Sequence, residues 1–154
     1  MTDAGGLQVR SAACLAAILA LAVAGSAGAR PDANGIPTYV DGYAKWPKLN
    51  AKPIRGGSAA HQGTKNVYVS KRKTGARYPL GAIVVKTASP PGKQWLSLVA
   101  TMRKIRGSAN GGWRWEEFTR SSQTARFTKI GFPESGCAAC HAQAKSNDYV
   151  FTRR

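Results

Sequence analysis

Alternating apolar and polar positions mark the middle of this chain. From Trp95 to Met102 the sequence WLSLVATM sets Leu96, Leu98, Ala100 and Met102 on one side of an extended strand. Trp113 to Phe118 (WRWEEF) does the same, with Trp113 and Trp115 on one face and Arg114 and Glu116 on the other. Leu80 to Thr87 (LGAIVVKT) is strongly β-branched and carries Lys86 within it. Asn66 to Ser70 is a shorter β-rich run, and Ala125 to Ile130 adds a last strand. The charged turn from Lys71 to Gly75 and the basic, Gly-rich stretch from Arg103 to Gly112 separate these runs. Residues 30–64 form a Pro- and Gly-punctuated lead-in without repeats. Inside it, Tyr39 to Trp46 fits a short helix with Tyr39, Tyr43 and Trp46 packing from one side. The pattern predicts a mainly β domain: an antiparallel core of four or five strands, a short N-terminal helix and a C-terminal helical segment.

That last segment carries the chemistry. Cys137-Ala138-Ala139-Cys140-His141 is a C-x-x-C-H run. Thiols three positions apart can each add to one vinyl group of a haem, and the adjacent imidazole can take an axial place on the iron. Pro133-Glu134-Ser135-Gly136 punctuates the chain, and the Ala-rich stretch to Lys145 suits a short helix holding all three groups. A structural disulfide or half of a zinc site competes with this reading. Zinc needs four ligands, and the one other histidine is His61, with no second cysteine pair. A thioredoxin-like pair would want a βαβ context that is absent. The expectation is one covalently attached haem c, with His141 as proximal iron ligand. Only thirteen residues follow His141, and none is Met, His or Cys. Met102, the one methionine after residue 29, reads as an inward-facing strand residue, so an open or weakly filled sixth site is expected.

Residues 1–29 read as a secretory signal: Arg10, an apolar run from Ser11 to Gly25, then the small-x-small site Ala27-Gly28-Ala29. Cys14 starts the apolar run rather than following it, which argues against a lipoprotein anchor. The expected product is a periplasmic domain spanning residues 30–154. The 23 basic residues exceed the 7 acidic ones by 16. Such an excess usually points to nucleic acid, but an exported protein rarely meets any. An acidic redox partner, an anionic membrane surface, or merely a solvated basic surface remain as readings.

The ordered set Tyr43-x-x-Trp46, Asn66-Val67-Tyr68-Val69, Tyr78-Pro79-x-Gly81-x-Ile83-Val84-Val85-Lys86, Gly112-Trp113-x-Trp115, the C-x-x-C-H run and Asp148-Tyr149-Val150-Phe151 resembles the cytochrome P-460 family, which includes the β-sheet cytochromes c′. The resemblance runs from about Tyr43 to Phe151. It implies a mostly antiparallel β fold with one haem c, and dimers as a possible assembly. One kind of member oxidises hydroxylamine and has a lysine bonded to its haem; another binds nitric oxide in a pocket capped by apolar aromatics.

Lys86 falls on the position resembling the cross-linking lysine, and desolvation on an apolar strand would favour its nucleophilic neutral form. The other reading of Lys86 is a side chain that snorkels into water. Matching Leu98 to Thr101 with the strand that carries the distal carboxylate of hydroxylamine-oxidising members puts Val99 at that position, which implies a pocket without its base. Glu116 and Glu117 replace it only if their strand lines the pocket; otherwise they are solvated or paired with arginines. His61 lies where gas-binding relatives place a capping phenylalanine. It reads either as a distal group that bonds a ligand, binds iron or moves protons, or as a surface loop histidine. Three functions follow in order: handling of small nitrogen oxides by NO binding or redox conversion, hydroxylamine oxidation, and plain electron transfer.

Overall fold

The β-branched runs become a five-stranded antiparallel sheet in sequence order: β1 Thr64–Val69, β2 Ile83–Ser89, β3 Leu98–Lys104, β4 Trp113–Thr119 and β5 Thr128–Lys129. The computed structural model describes residues 34–56, 61–107, 109–131 and 134–152. The expected signal segment and its cleavage site lie outside those residues. The sheet and its C-terminal helix, Glu134–His141, match the mainly β expectation. Among the described residues no helix is long and apolar enough to cross a membrane.

Directly opposed residues in an antiparallel sheet share a face, so the register decides the site. Val67 stands opposite Lys86, Lys86 opposite Ala100, and Ala100 opposite Glu117. The next row is Val69, Val84, Met102 and Trp115. This face packs against the C-terminal segment through Ala138, Val150 and Tyr149. The opposite face carries Val85, Val99 and Phe118, covered by Ile36, Val40 and the aromatics of the lead-in. Because both faces are covered, adjacent residues such as Val84 and Val85 are both buried. That explains why β2 reads as a continuous apolar run rather than an alternating one.

Several boundaries differ from expectation: β1 starts two residues early, at Thr64, and β3 runs from Leu98 through Arg103 and Lys104, which were expected in the following turn. The N-terminal helix is two 3₁₀ turns, Thr38–Val40 and Tyr43–Lys45, broken where Gly42 takes a left-handed φ of 71°. Tyr39, Tyr43 and Trp46 still pack on one core cluster, as their spacing predicts. The second strand begins at Ile83, because Gly81 turns at φ 73° and leaves Leu80 half exposed. The last strand keeps only Thr128 and Lys129, which pair with Thr119 and Phe118.

Candidate functional site

Cys137, Cys140 and His141 sit at i, i+3 and i+4 of the C-terminal helix, a spacing that gathers them on one helical face. All three line a cavity of about 440 Å³ between the helix and the sheet. Both cysteines are free thiols, Cys137 half-buried and Cys140 exposed. Glu134 anchors the first turn of the helix by accepting the Trp115 backbone N–H at 2.9 Å.

The imidazole of His141 is oriented from behind. Its Nδ1 lies 2.6 Å from the carbonyl oxygen of Tyr149, and the rings of Trp115 and Phe151 flank it at 5.9 and 5.2 Å. A proton on Nδ1 donated to that carbonyl leaves Nε2 with a free lone pair, the form that ligates a metal. Burial pushes the His141 pKa down, which also favours the neutral ring.

The Tyr149 carbonyl depends on an unusual backbone. Asp148 and Tyr149 are consecutive left-handed residues, at φ 53° and 65°. Such a conformation costs about 1–3 kcal/mol for a residue like tyrosine and persists only where the surroundings over-determine it. They do here. The Asp148 carboxylate accepts from Lys104 Nζ at 2.7 and 2.8 Å and from the Tyr78 N–H at 2.8 Å, and its carbonyl accepts from Trp113 Nε1 at 2.8 Å. Lys104 and Asp148 are both buried.

On the sheet side of the cavity three polar residues are joined in a line. Lys86 Nζ lies 2.7 Å from His61 Nδ1, and His61 Nε2 lies 2.9 Å from a Glu117 oxygen. Desolvation lowers the Lys86 pKa to about 8, against the opposing pull of Glu117. The amine therefore turns to an imidazole inside the cavity, not to bulk water, and the snorkelling reading of Lys86 does not hold. His61 is likewise part of the cavity wall and not a free surface histidine.

Val99 is not a pocket residue. It is fully buried on the opposite face with Val85 and Phe118. A one-residue difference in strand alignment reverses every side chain, so Ala100 lines the cavity instead, and Glu117 stands opposite it. The expectation of a pocket without a carboxylate is thereby overturned. Glu116, its neighbour, is held by Lys129 at 2.7 Å, Tyr39 at 2.5 Å and Arg103 at 3.7 Å, as a charge-paired residue. The alternation that puts Trp113 and Trp115 on the core face puts Glu117 there too, and that signal was available in the sequence. Met102 is buried in the core as expected and also borders the cavity.

The residues suit a haem. Two thiols and an oriented imidazole share one rim, Val67, Val84 and Val150 supply apolar walls, and the buried Trp115 indole N–H has no hydrogen-bond partner among the described residues. Among the described residues no group of three or more His, Cys, Asp and Glu side chains is clustered to hold a metal ion. The sequence profile of a family described as cytochrome P-460 matches residues 40–152, well over half the chain. No curated protein matches the chain.

Proposed function

Since the chain belongs to the cytochrome P-460 family and so is a haem-binding cytochrome, we propose that it is an exported haem c protein that oxidises a small protonated nitrogen compound, with hydroxylamine as the leading substrate. Cys137 and Cys140 would form the two thioether bonds, and His141 Nε2 would ligate the iron. Bound haem supplies a site for a small ligand and a sink for its electrons. The chain supplies the rest. Apolar side chains from β1 and β2 limit water at the reacting atoms, and Glu117 accepts protons from the substrate directly or through His61.

The observation that carries this reading is the Glu117–His61 pair on the wall facing the C-x-x-C-H rim. A substrate that loses protons along with electrons needs such an acceptor; a ligand that only binds and leaves does not. The apolar walls favour a second reading, reversible NO binding. Steady-state assay of the holoprotein with hydroxylamine and an artificial electron acceptor separates the two. Turnover that falls when Glu117 becomes Gln supports oxidation. A wild-type protein that binds NO reversibly but leaves hydroxylamine unchanged would establish the second reading. Electrons leaving the haem would pass to an acidic partner drawn by the basic surface.

A further inference from the structure

His141 is the first residue anyone would vary in this site, yet its orientation is decided by residues far from it in sequence. The acceptor of its Nδ1 proton is the Tyr149 carbonyl, and that carbonyl directly follows two consecutive residues of left-handed backbone. Local cap bonds, from the Asp148 N–H to the Lys145 carbonyl and from the Tyr149 N–H to the Ala144 carbonyl, end the preceding helical turn in this conformation. Three distant elements then hold it in place. Lys104, at the end of β3, binds both oxygens of Asp148 and also donates to the Gly111 carbonyl at 2.5 Å. Trp113, at the start of β4, donates to the Asp148 carbonyl. Gly111, at φ 71°, leaves room for the Tyr149 ring, since a Cβ there would run into Tyr149 Cε2.

We propose that the buried Lys104–Asp148 ion pair, with Gly111, is a positioning device for His141: it aims the Tyr149 carbonyl at Nδ1 and so sets the donor strength of the proximal ligand. The inference rests on the reading of His141 as the iron ligand. A firm Nδ1–H···O=C bond raises the basicity of the ligating nitrogen and favours the ferric state. Loosening the Asp148–Tyr149 turn weakens that bond and shifts the redox equilibrium toward the ferrous state. Lys104 and Asp148 act through Tyr149 and need touch neither haem nor substrate.

Two variants perturb the turn from different sides, one by charge and one by bulk, and both are measured as holoproteins. Asp148→Asn keeps an acceptor for the Tyr78 N–H and a residue tolerant of left-handed backbone, but loses the charge that holds Lys104. Gly111→Ala keeps both members of the ion pair and pushes on the Tyr149 ring, straining the left-handed residue whose carbonyl Lys104 binds. Each should move the redox equilibrium about tenfold toward the ferrous form, a rise of about 59 mV for one electron. Each should also speed solvent exchange of the His141 Nδ1 proton, followed by NMR in the cyanide-bound ferric state. Val99→Ala, on the other face of the sheet, should lower the melting temperature without moving either readout. If Asp148→Asn and Gly111→Ala change only the melting temperature, the pair is structural and the proposal fails. If the wild-type protein shows no hyperfine-shifted imidazole protons from His141, the reading of His141 as ligand fails and takes this inference with it.

Discussion

Glu116 and Glu117 are neighbours on β4, and the two faces of the sheet treat them differently. Glu116 also borders the cavity, but its carboxylate turns to the face covered by the lead-in, where it meets Tyr39. Burial alone would raise its pKa, but hydrogen bonds from Lys129 and Tyr39, with Arg103 nearby, hold it below the ordinary carboxylate range. Its oxygens meet two cations and a hydroxyl, so it is committed to structure. Glu117 points to the cavity and, among the described residues, meets one imidazole, itself bonded to an amine. A carboxylate with a single exchangeable partner beside a cavity can take a proton, and one caged by cations is a poor acceptor. The same contrast separates the two lysines of the cavity face: Lys104 is locked on Asp148, while Lys86 shares its proton with His61.

The largest expected effect removes the cavity face's purpose altogether. Replacing Cys137 and Cys140 by Ala should abolish haem retention through denaturing electrophoresis, while no substitution on the lead-in face should do so. Stoichiometric zinc in place of haem in the wild-type protein would overturn the whole assignment.

Next comes the carboxylate pair. Glu117→Gln should lower hydroxylamine turnover by about 10²–10⁴-fold, the usual worth of a general base. Glu116→Gln should leave turnover near wild type and show its effect in the melting temperature instead. Equal losses of rate for both variants would erase the functional difference between the faces.

The third test concerns Lys86 and pH. A lysine whose folded pKa, about 8, lies below its ordinary 10.5 opposes folding while both states are protonated. Stability should therefore rise with pH between these values, where the unfolded chain holds a proton that the folded chain has lost. The gain is at most about 3 kcal/mol. Denaturant titrations across that range should show the rise in wild type and its absence in Lys86→Met. A wild-type protein without the rise, whose Lys86 peptide carries the haem mass, would mean that the amine is already bonded to the porphyrin.

The smallest effect belongs to the face without chemistry. Val99→Ala should cost about 2–3 kcal/mol through lost burial and a residual cavity, with no change in the absorption spectrum. A spectral change there would mean that Val99 reaches the cavity after all, contrary to the observed register.

Much of this protein was legible in its sequence because the signals are local. Period-two alternation gives strands whatever their neighbours do, and it correctly paired Trp113 with Trp115. The C-x-x-C-H spacing places two thiols and an imidazole together within little more than one helical turn, so no distant contact is needed to make the rim. Lys86 stood out for the same reason, as a charge inside a β-branched run. What lay beyond reach was everything fixed by register. Val99 and Ala100 differ by one position, and only the hydrogen-bonded pairing of β2, β3 and β4 decides which of them stands beside Glu117 on the cavity face. His61 and Glu117 are joined across 56 positions, and Lys104 and Asp148 across 44. Such contacts leave no periodic trace, because each is one side chain meeting another where two separate segments happen to pack. The sequence by itself determined the β architecture and the rim of two thiols and an imidazole; the tertiary structure alone decided how the charges of the cavity are paired and which residues aim His141.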